Sequence, residues 1–147
     1  MLRKFEIGSK SLSKHVPHAD LCFDGNTPVT QIQFEKRSLA FVLDTGATNT
    51  DLYPPFATAF PELISKASKT DSYKMEGVGS LRYMDAATLA SLHFRIGGFP
   101  VVLSPADALL THTNEASKFF EGNLGIDLLQ QAHKTAFDFK AMTLTLQ

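Results

Sequence analysis

The stretch LAFVLDTGATNTDLYP, residues 39–54, constrains the fold more than any other part of the chain. Leu39, Ala40, Phe41, Val42 and Leu43 run without a polar residue, as in a strand covered on both faces. The run ends on a carboxylate, Asp44, followed at once by Thr45, Gly46 and Ala47, which predict a tight turn. Carboxylates seldom sit at the lip of a buried strand unless something pairs with them. The chain therefore needs a sheet deep enough to cover this strand. Asp44 is either the cap of a turn or the working group of a site.

Around that stretch the β pattern continues. Residues 29–34, VTQIQF, alternate and are joined to the apolar run by Glu35-Lys36-Arg37, which predicts a hairpin. Asp24-Gly25-Asn26 predicts a turn, and residues 1–25 read as a polar lead-in to a domain spanning 26–147. Pro54, Pro55 and Pro61 restrict the next segment to one or two short helices broken at Pro61. The middle of the chain is β-rich, with Gly77 and Gly79 at one hairpin tip and Gly97-Gly98 at another. Residues 113–120, TNEASKFF, predict a short helix capped by Thr113 or Asn114. A strand at GNLG, a short helix from about Asp127 to His133 and a terminal hairpin complete a mainly β domain with two or three short helices.

Composition removes several function classes. The 147 residues suit one domain with a real core. A net charge of −1, from 14 basic and 15 acidic residues, leaves no electrostatic footprint for nucleic acid. Cys22 is the single cysteine, so neither an intrachain disulfide nor a cysteine-based zinc site is available. No apolar run approaches the roughly 20 residues of a membrane-spanning helix. The N-terminal MLRKFEIGSK lacks the apolar segment of a signal peptide, and the compartment is left open. Pro17 inside His15-x-x-His18 argues against a helical metal pair, and no G-x-S-x-G, H-E-x-x-H or phosphate-binding loop is present. Neither a metal nor an organic cofactor is expected.

Asp44-Thr45-Gly46-Ala47 after a buried strand resembles the active-site signature of the retropepsin-like aspartic peptidases, in particular the single-domain, bacterial-type branch. GNLGIDLL, residues 122–129, resembles the two-apolar-then-glycine element of that family, with Leu124 and Gly125 in place and Asn123 where an apolar residue is usual. MEGVGSLRY, residues 75–83, falls where the family has its glycine-rich flap, and TAFDFKAMTLTL resembles its closing strands. The resemblance covers about residues 26–147 and implies a retropepsin-like closed antiparallel β-barrel with two or three short helices. It implies that Asp44 is catalytic, that Thr45, Gly46 and Ala47 support it, and that Met75, Gly77, Val78, Gly79 and Tyr83, with Tyr73, line or close the cleft. Thr45 would bond across an interface, and Gly46 would take a conformation that a side chain blocks.

Hydrolysis of a peptide bond by water needs a base for the water and an acid for the carbonyl oxygen. Two aspartates about 3 Å apart supply both, because they share one proton. The chain has one D-T-G, and Asp51, Asp85, Asp107, Asp127 and Asp138 lack its setting. The resemblance therefore implies an endopeptidase working as a homodimer on polypeptide substrates, with one Asp44 from each protomer. Two alternatives are a non-catalytic peptide-binding or assembly module on the same fold, and one lobe of a longer two-lobed peptidase. Ala47 carries no hydroxyl to donate to the carboxylate, which implies activity at mildly acidic to near-neutral pH. Ile126 and Thr48-Asn49 stand where retroviral members often place an ion pair, so the dimer would rest on apolar packing and strand pairing, with MTLTL as a candidate interface strand. Asp127 reads as a helix cap and Asp138 as a strand-face residue.

Overall fold

A computed structural model of the chain describes residues 5–7, 17–77 and 80–147. Val78 and Gly79, expected at a hairpin tip, lie outside the described residues. Strands β2 (Ala19–Asp24), β3 (Thr27–Phe34) and β4 (Arg37–Leu43) form a meander after β1 (Phe5–Ile7). Both of its turns fall where the polar breaks predict them. Alternation along β3 and β4 sends Ile32, Phe34, Leu39, Phe41 and Leu43 into the main core.

After the D-T-G-A turn come β5 (Asp51–Leu52) and two one-and-a-half-turn helices, α1 (Pro54–Ala59) and α2 (Pro61–Lys66). Each starts on a proline, where the missing N–H would have had no partner in the helix. Phe56 of α1 is fully buried, with its ring 4.8 Å from that of Phe60, 5.5 Å from Phe34 and 6.4 Å from Phe94. These tilted aromatic contacts tie α1 to β3 and to the later strand that carries Phe94.

The chain then forms a long hairpin, β6 (Ser68–Gly77) and β7 (Ser80–Leu89), with a register shift between Thr70 and Tyr73. A shorter hairpin follows, β8 (Leu92–Ile96) and β9 (Phe99–Leu103), turning at Gly97-Gly98 as predicted. β10 (Ala106–Leu109) leads to a single 3₁₀ turn at Ala116–Lys118, shorter than the expected helix; Asn114 Oδ1 accepts from Ser117 N–H at 2.9 Å. Last come β11 (Gly122–Leu124), α3 (Ile126–Leu129), β12 (Thr135–Asp138) and β13 (Thr143–Leu146).

The strand order is β1-β12-β13-β2-β3-β4-β11-β5-β10-β7-β6, with β8 against β3 and β9 against β8. The domain is mainly β with three short helices, but the closed antiparallel barrel is corrected in two ways. The two ends of the order, β1 and β6, are not neighbours, so among the described residues the sheet is open. It is also mixed, because β11 returns from far along the chain to lie parallel to β4, while β10 is parallel to β5 and β1 to β12. Among the described residues no helix is long and apolar enough to cross a membrane.

Two further expectations meet the sheet directly. A boundary at residue 26 cuts through the β2–β3 hairpin, since Ala19 and Leu21 of β2 are buried in the main core. The MTLTL strand is largely interior among the described residues, because β13 is paired with β12 along its whole length and with β2 at Thr143 and Leu144. Its apolar side chains Leu144 and Leu146 fill the core instead.

The aromatic hub gives a first test. Phe56→Ala should lose about 3–5 kcal/mol of unfolding free energy in a urea titration, as for other buried Phe truncations. Phe119→Ala, at a ring 71% exposed, should stay within about 0.5 kcal/mol of the parent.

Candidate active site

Parallel pairing of β4 and β11, Phe41 opposite Gly122 and Leu43 opposite Leu124, makes both strands end at the same edge of the sheet. The chain leaves β4 as Asp44 and leaves β11 as Gly125. Asp44 N–H donates to the carbonyl of Leu124 at 3.0 Å, and Ala47 N–H closes the turn on the carbonyl of Asp44 at 3.1 Å. Ile126 N–H then donates to the carbonyl of Ala47 at 2.9 Å. The turn is thus held at its start and at its end by the second strand. Gly125 permits this approach, since a Cβ there would lie 2.5 Å from the carbonyl oxygen of Asn49.

Beneath the turn, Thr50 and Asp127 bolt the two segments together. Thr50 Oγ1 donates to Asp127 Oδ1 at 2.6 Å and accepts from Gly125 N–H at 2.9 Å, while Thr50 N–H donates to Asp127 Oδ2 at 3.0 Å. Asp127 Oδ1 also accepts from Leu128 N–H at 2.9 Å in the first turn of α3. A charged acceptor serving three N–H and O–H donors makes these the stronger kind of hydrogen bond. Asp127 lies within the first turn of α3 rather than at its cap, which is Gly125, and its side chain holds Thr50. Asp138 is buried, and its Oδ1 accepts from the N–H groups of Lys140 and Ala141, so it caps the β12–β13 turn.

The Asp44 side chain stands exposed above this frame. Its Oδ1 accepts from Gly46 N–H at 2.9 Å, and Asn123 Nδ2 lies 3.5 Å from Oδ2. Gly46 does not take a left-handed φ; glycine is favoured there because a Cβ would press to 3.2 Å from Asp44 Oδ1. Thr45 is exposed and Ala47 half-buried. An acid with one oxygen fixed by a backbone N–H and the whole carboxylate open to approach can exchange a proton with a molecule docked on it.

β5 lies on the far side of β11, with Asp51 opposite Asn123. Their neighbours Leu52 and Leu124 are wholly buried in the core, so Asp51 and Asn123 point from the other face of the sheet. Tyr73 of β6 reaches down to this face and donates its hydroxyl to Asp51 Oδ1 at 2.8 Å. Burial pushes the Asp51 carboxyl above its ordinary range; the Tyr73 bond opposes that, and the charges of Asp107 and Asp127 add to it. Burial, reinforced by the Asp51 carboxylate, pushes the Tyr73 phenol well up, so it remains a donor. The Tyr53 phenol is also raised, by burial first, against a hydrogen bond from Asn114.

Met75, like Tyr73, packs on a small second core of Tyr53, Ala86 and Leu109. The β6–β7 register puts Tyr83 opposite Lys74, on the other face of the hairpin from Tyr73 and Met75, and Tyr83 is 64% exposed. Gly77 is the last paired residue of β6, opposite Ser80. The structure therefore brings Asp44, Thr45, Gly46, Ala47, Leu124 and Gly125 into one assembly, sets Tyr73 and Met75 near it, and turns Tyr83 away. Among the described residues no group of three or more His, Cys, Asp or Glu could hold a metal ion.

No protein-family profile matches the chain, and no curated protein matches its sequence. Its fold does match solved structures. One is the crystal structure of a retropepsin-like aspartic protease from Rickettsia conorii, at a TM-score of 0.57 and 18% identity, over 86% of this chain and 87% of that one. Another is the retroviral protease-like domain of Ddi1 from Leishmania major, at 0.56 and 13%, over 81% and 86%. At these identities the likeness is one of fold, and the fold is retropepsin-like.

Replacing Thr50 by Val should destabilise the protein by about 1–3 kcal/mol in chemical denaturation, because Gly125 N–H and Asp127 lose a buried partner. Asp51 gives a pH signature. An acid raised by folding is protonated in both states below the ordinary value of 3.8, and its burden grows as pH rises through that value and the raised one. Asp51→Asn should therefore gain stability over the parent as pH increases from acid to neutral. A difference that shrinks with rising pH would contradict the burial of Asp51.

Proposed function

We propose that the chain is an aspartic endopeptidase whose working form is a homodimer, with Asp44 of each protomer meeting across a two-fold axis. The observation that supports this most is the Asp44 turn itself. One carboxylate oxygen closes the turn through Gly46 N–H, while the other stays open beside Asn123 Nδ2 and the backbone is tied to β11, so the acid is both fixed and reachable. The sequence holds one D-T-G, so a full acid–base pair requires a second copy. The fold shared with aspartic proteases supports the same reading.

In this reading the two carboxylates share one proton. The ionised one takes a proton from a water molecule as its oxygen attacks the scissile carbonyl carbon. The protonated one gives its proton to the carbonyl oxygen, forming a neutral tetrahedral diol. Collapse returns one hydroxyl proton to the ionised carboxylate, while the carboxyl that took the water's proton passes it to the amide nitrogen as the C–N bond breaks, so the pair again holds one proton. Gly46 N–H keeps each Asp44 in one rotamer during these transfers. The β6–β7 hairpin, with Met75, Gly77, Val78 and Gly79, acts as a flap that closes on an extended substrate and excludes water. No metal or organic cofactor enters.

Asp44→Asn should lower cleavage of a mixed peptide library by at least about a thousandfold, the scale of lost acid–base catalysis. Sedimentation should show a dimer for both proteins, and the parent's rate should peak at mildly acidic to near-neutral pH. Equal cleavage by parent and variant would remove the catalytic claim. A monomer without Asp44-dependent cleavage would favour a binding module.

A further inference from the structure

The floor beside Asp44 is polar where the resemblance leads one to expect hydrocarbon. Asn123 and Asp51 are direct cross-strand partners on one face, half-buried, and in such pairs the Cβ atoms stand about 4.5–5.5 Å apart. Asn123 leans its Nδ2 toward Asp44, which leaves its amide oxygen directed away from that acid. Asp51 contributes carboxylate oxygen, with Tyr73 donating to one of its two oxygens. The strip from Asp44 to Tyr73 is thus rich in acceptors. Arg82, on the same face of the hairpin as Tyr73, has its Nη1 3.5 Å from the carbonyl of Thr113.

We propose that Asn123 and Asp51 set the specificity of the reaction, selecting a substrate side chain that donates hydrogen bonds, lysine above all, at a position flanking the scissile bond. The proposal rests on the endopeptidase reading and names its substrate class. A leucine side chain seated on this floor would strip water from an amide oxygen and a carboxylate and return nothing to them. A lysine ammonium or a glutamine amide supplies the missing N–H groups and keeps its aliphatic stem against Val42, which lies opposite Asn123 on β4. The lysine additionally meets a carboxylate whose charged neighbours, Asp107 and Asp127, are both negative. Sites built around hydrogen bonds discriminate more sharply than apolar ones, because the wrong ligand leaves buried polar groups unpaired.

The test uses the 147-residue chain and three peptides that differ only in the residues flanking one cleaved bond, carrying Leu, Gln or Lys there. The parent should cleave the Gln peptide about tenfold faster in kcat/KM than the Leu peptide, as one unpaired buried polar group would dictate, and the Lys peptide faster still. Asn123→Leu should bring the Leu peptide level with the Gln peptide. Asp51→Asn should cancel the advantage of Lys over Gln and keep that of Gln over Leu. Asp44→Asn runs alongside as the blank. A parent that prefers the Leu peptide, with cleavage still lost in Asp44→Asn, overturns the specificity and keeps the endopeptidase reading. Cleavage unaffected by Asp44→Asn, or none at all, overturns both.

Discussion

The structure depends on one insertion, the three residues of β11 between β4 and β5. Those strands are joined by the seven residues from Asp44 to Thr50, and a hairpin would have paired them directly. Instead Gly122–Leu124 arrives from far along the chain, parallel to β4 and antiparallel to β5. The D-T-G-A turn therefore spans a gap filled by a third strand. That strand's terminal carbonyl anchors Asp44 N–H, and the N–H of the next turn anchors Ala47. Thr50 and Asp127 lock the arrangement from below. Loop closure over such a sequence separation is entropically expensive, so the contact that completes the site is also one the chain must wait for in folding.

Much of this was legible in the sequence, and the reason differs from residue to residue. Asp44 was visible because an acid at the end of five apolar residues breaks the strand rule, and Pro61 because a proline forces a helix boundary. The β3–β4 and β8–β9 turns were marked by polar and glycine breaks. Thr50 and Asp127 were not found as a pair, since a threonine and an aspartate so far apart share no local signal. Thr50, four residues past Gly46, and Asp127, two past Gly125, become a pair only once the two turns are known to meet. The openness of the sheet and the interior place of β13 were hidden for the same reason. Alternation identifies a strand but not its neighbours.

The two faces of the central strands carry different chemistry. Leu39, Phe41, Leu43, Leu52 and Leu124 fill the core with hydrocarbon, while Val42, Asn123 and Asp51 line the opposite face at the same registers. Period-two geometry makes this separation automatic, so the site can change polarity without touching the core. Asp51 is held there against the penalty of burial by a phenol that cannot ionise at ordinary pH. Such a carboxylate weakens the domain where burial outweighs its hydrogen bond. Natural sequences tolerate local departures of this sort mainly at functional sites.

One acid per chain has a structural corollary. A two-fold axis near Asp44 requires each protomer to offer the same surface to its mate, so the residues around the exposed Thr45 must be self-complementary. Among the described residues β1 and β6 end the strand order, and β13 is paired with β12 throughout and with β2 at Thr143 and Leu144. Strand addition along the whole of β13 would have to displace β2, whose Ala19 and Leu21 are core residues. Association at the turn itself needs no such rearrangement. In the proposed dimer, contact would therefore centre on the D-T-G-A turns rather than on an extension of the terminal hairpin.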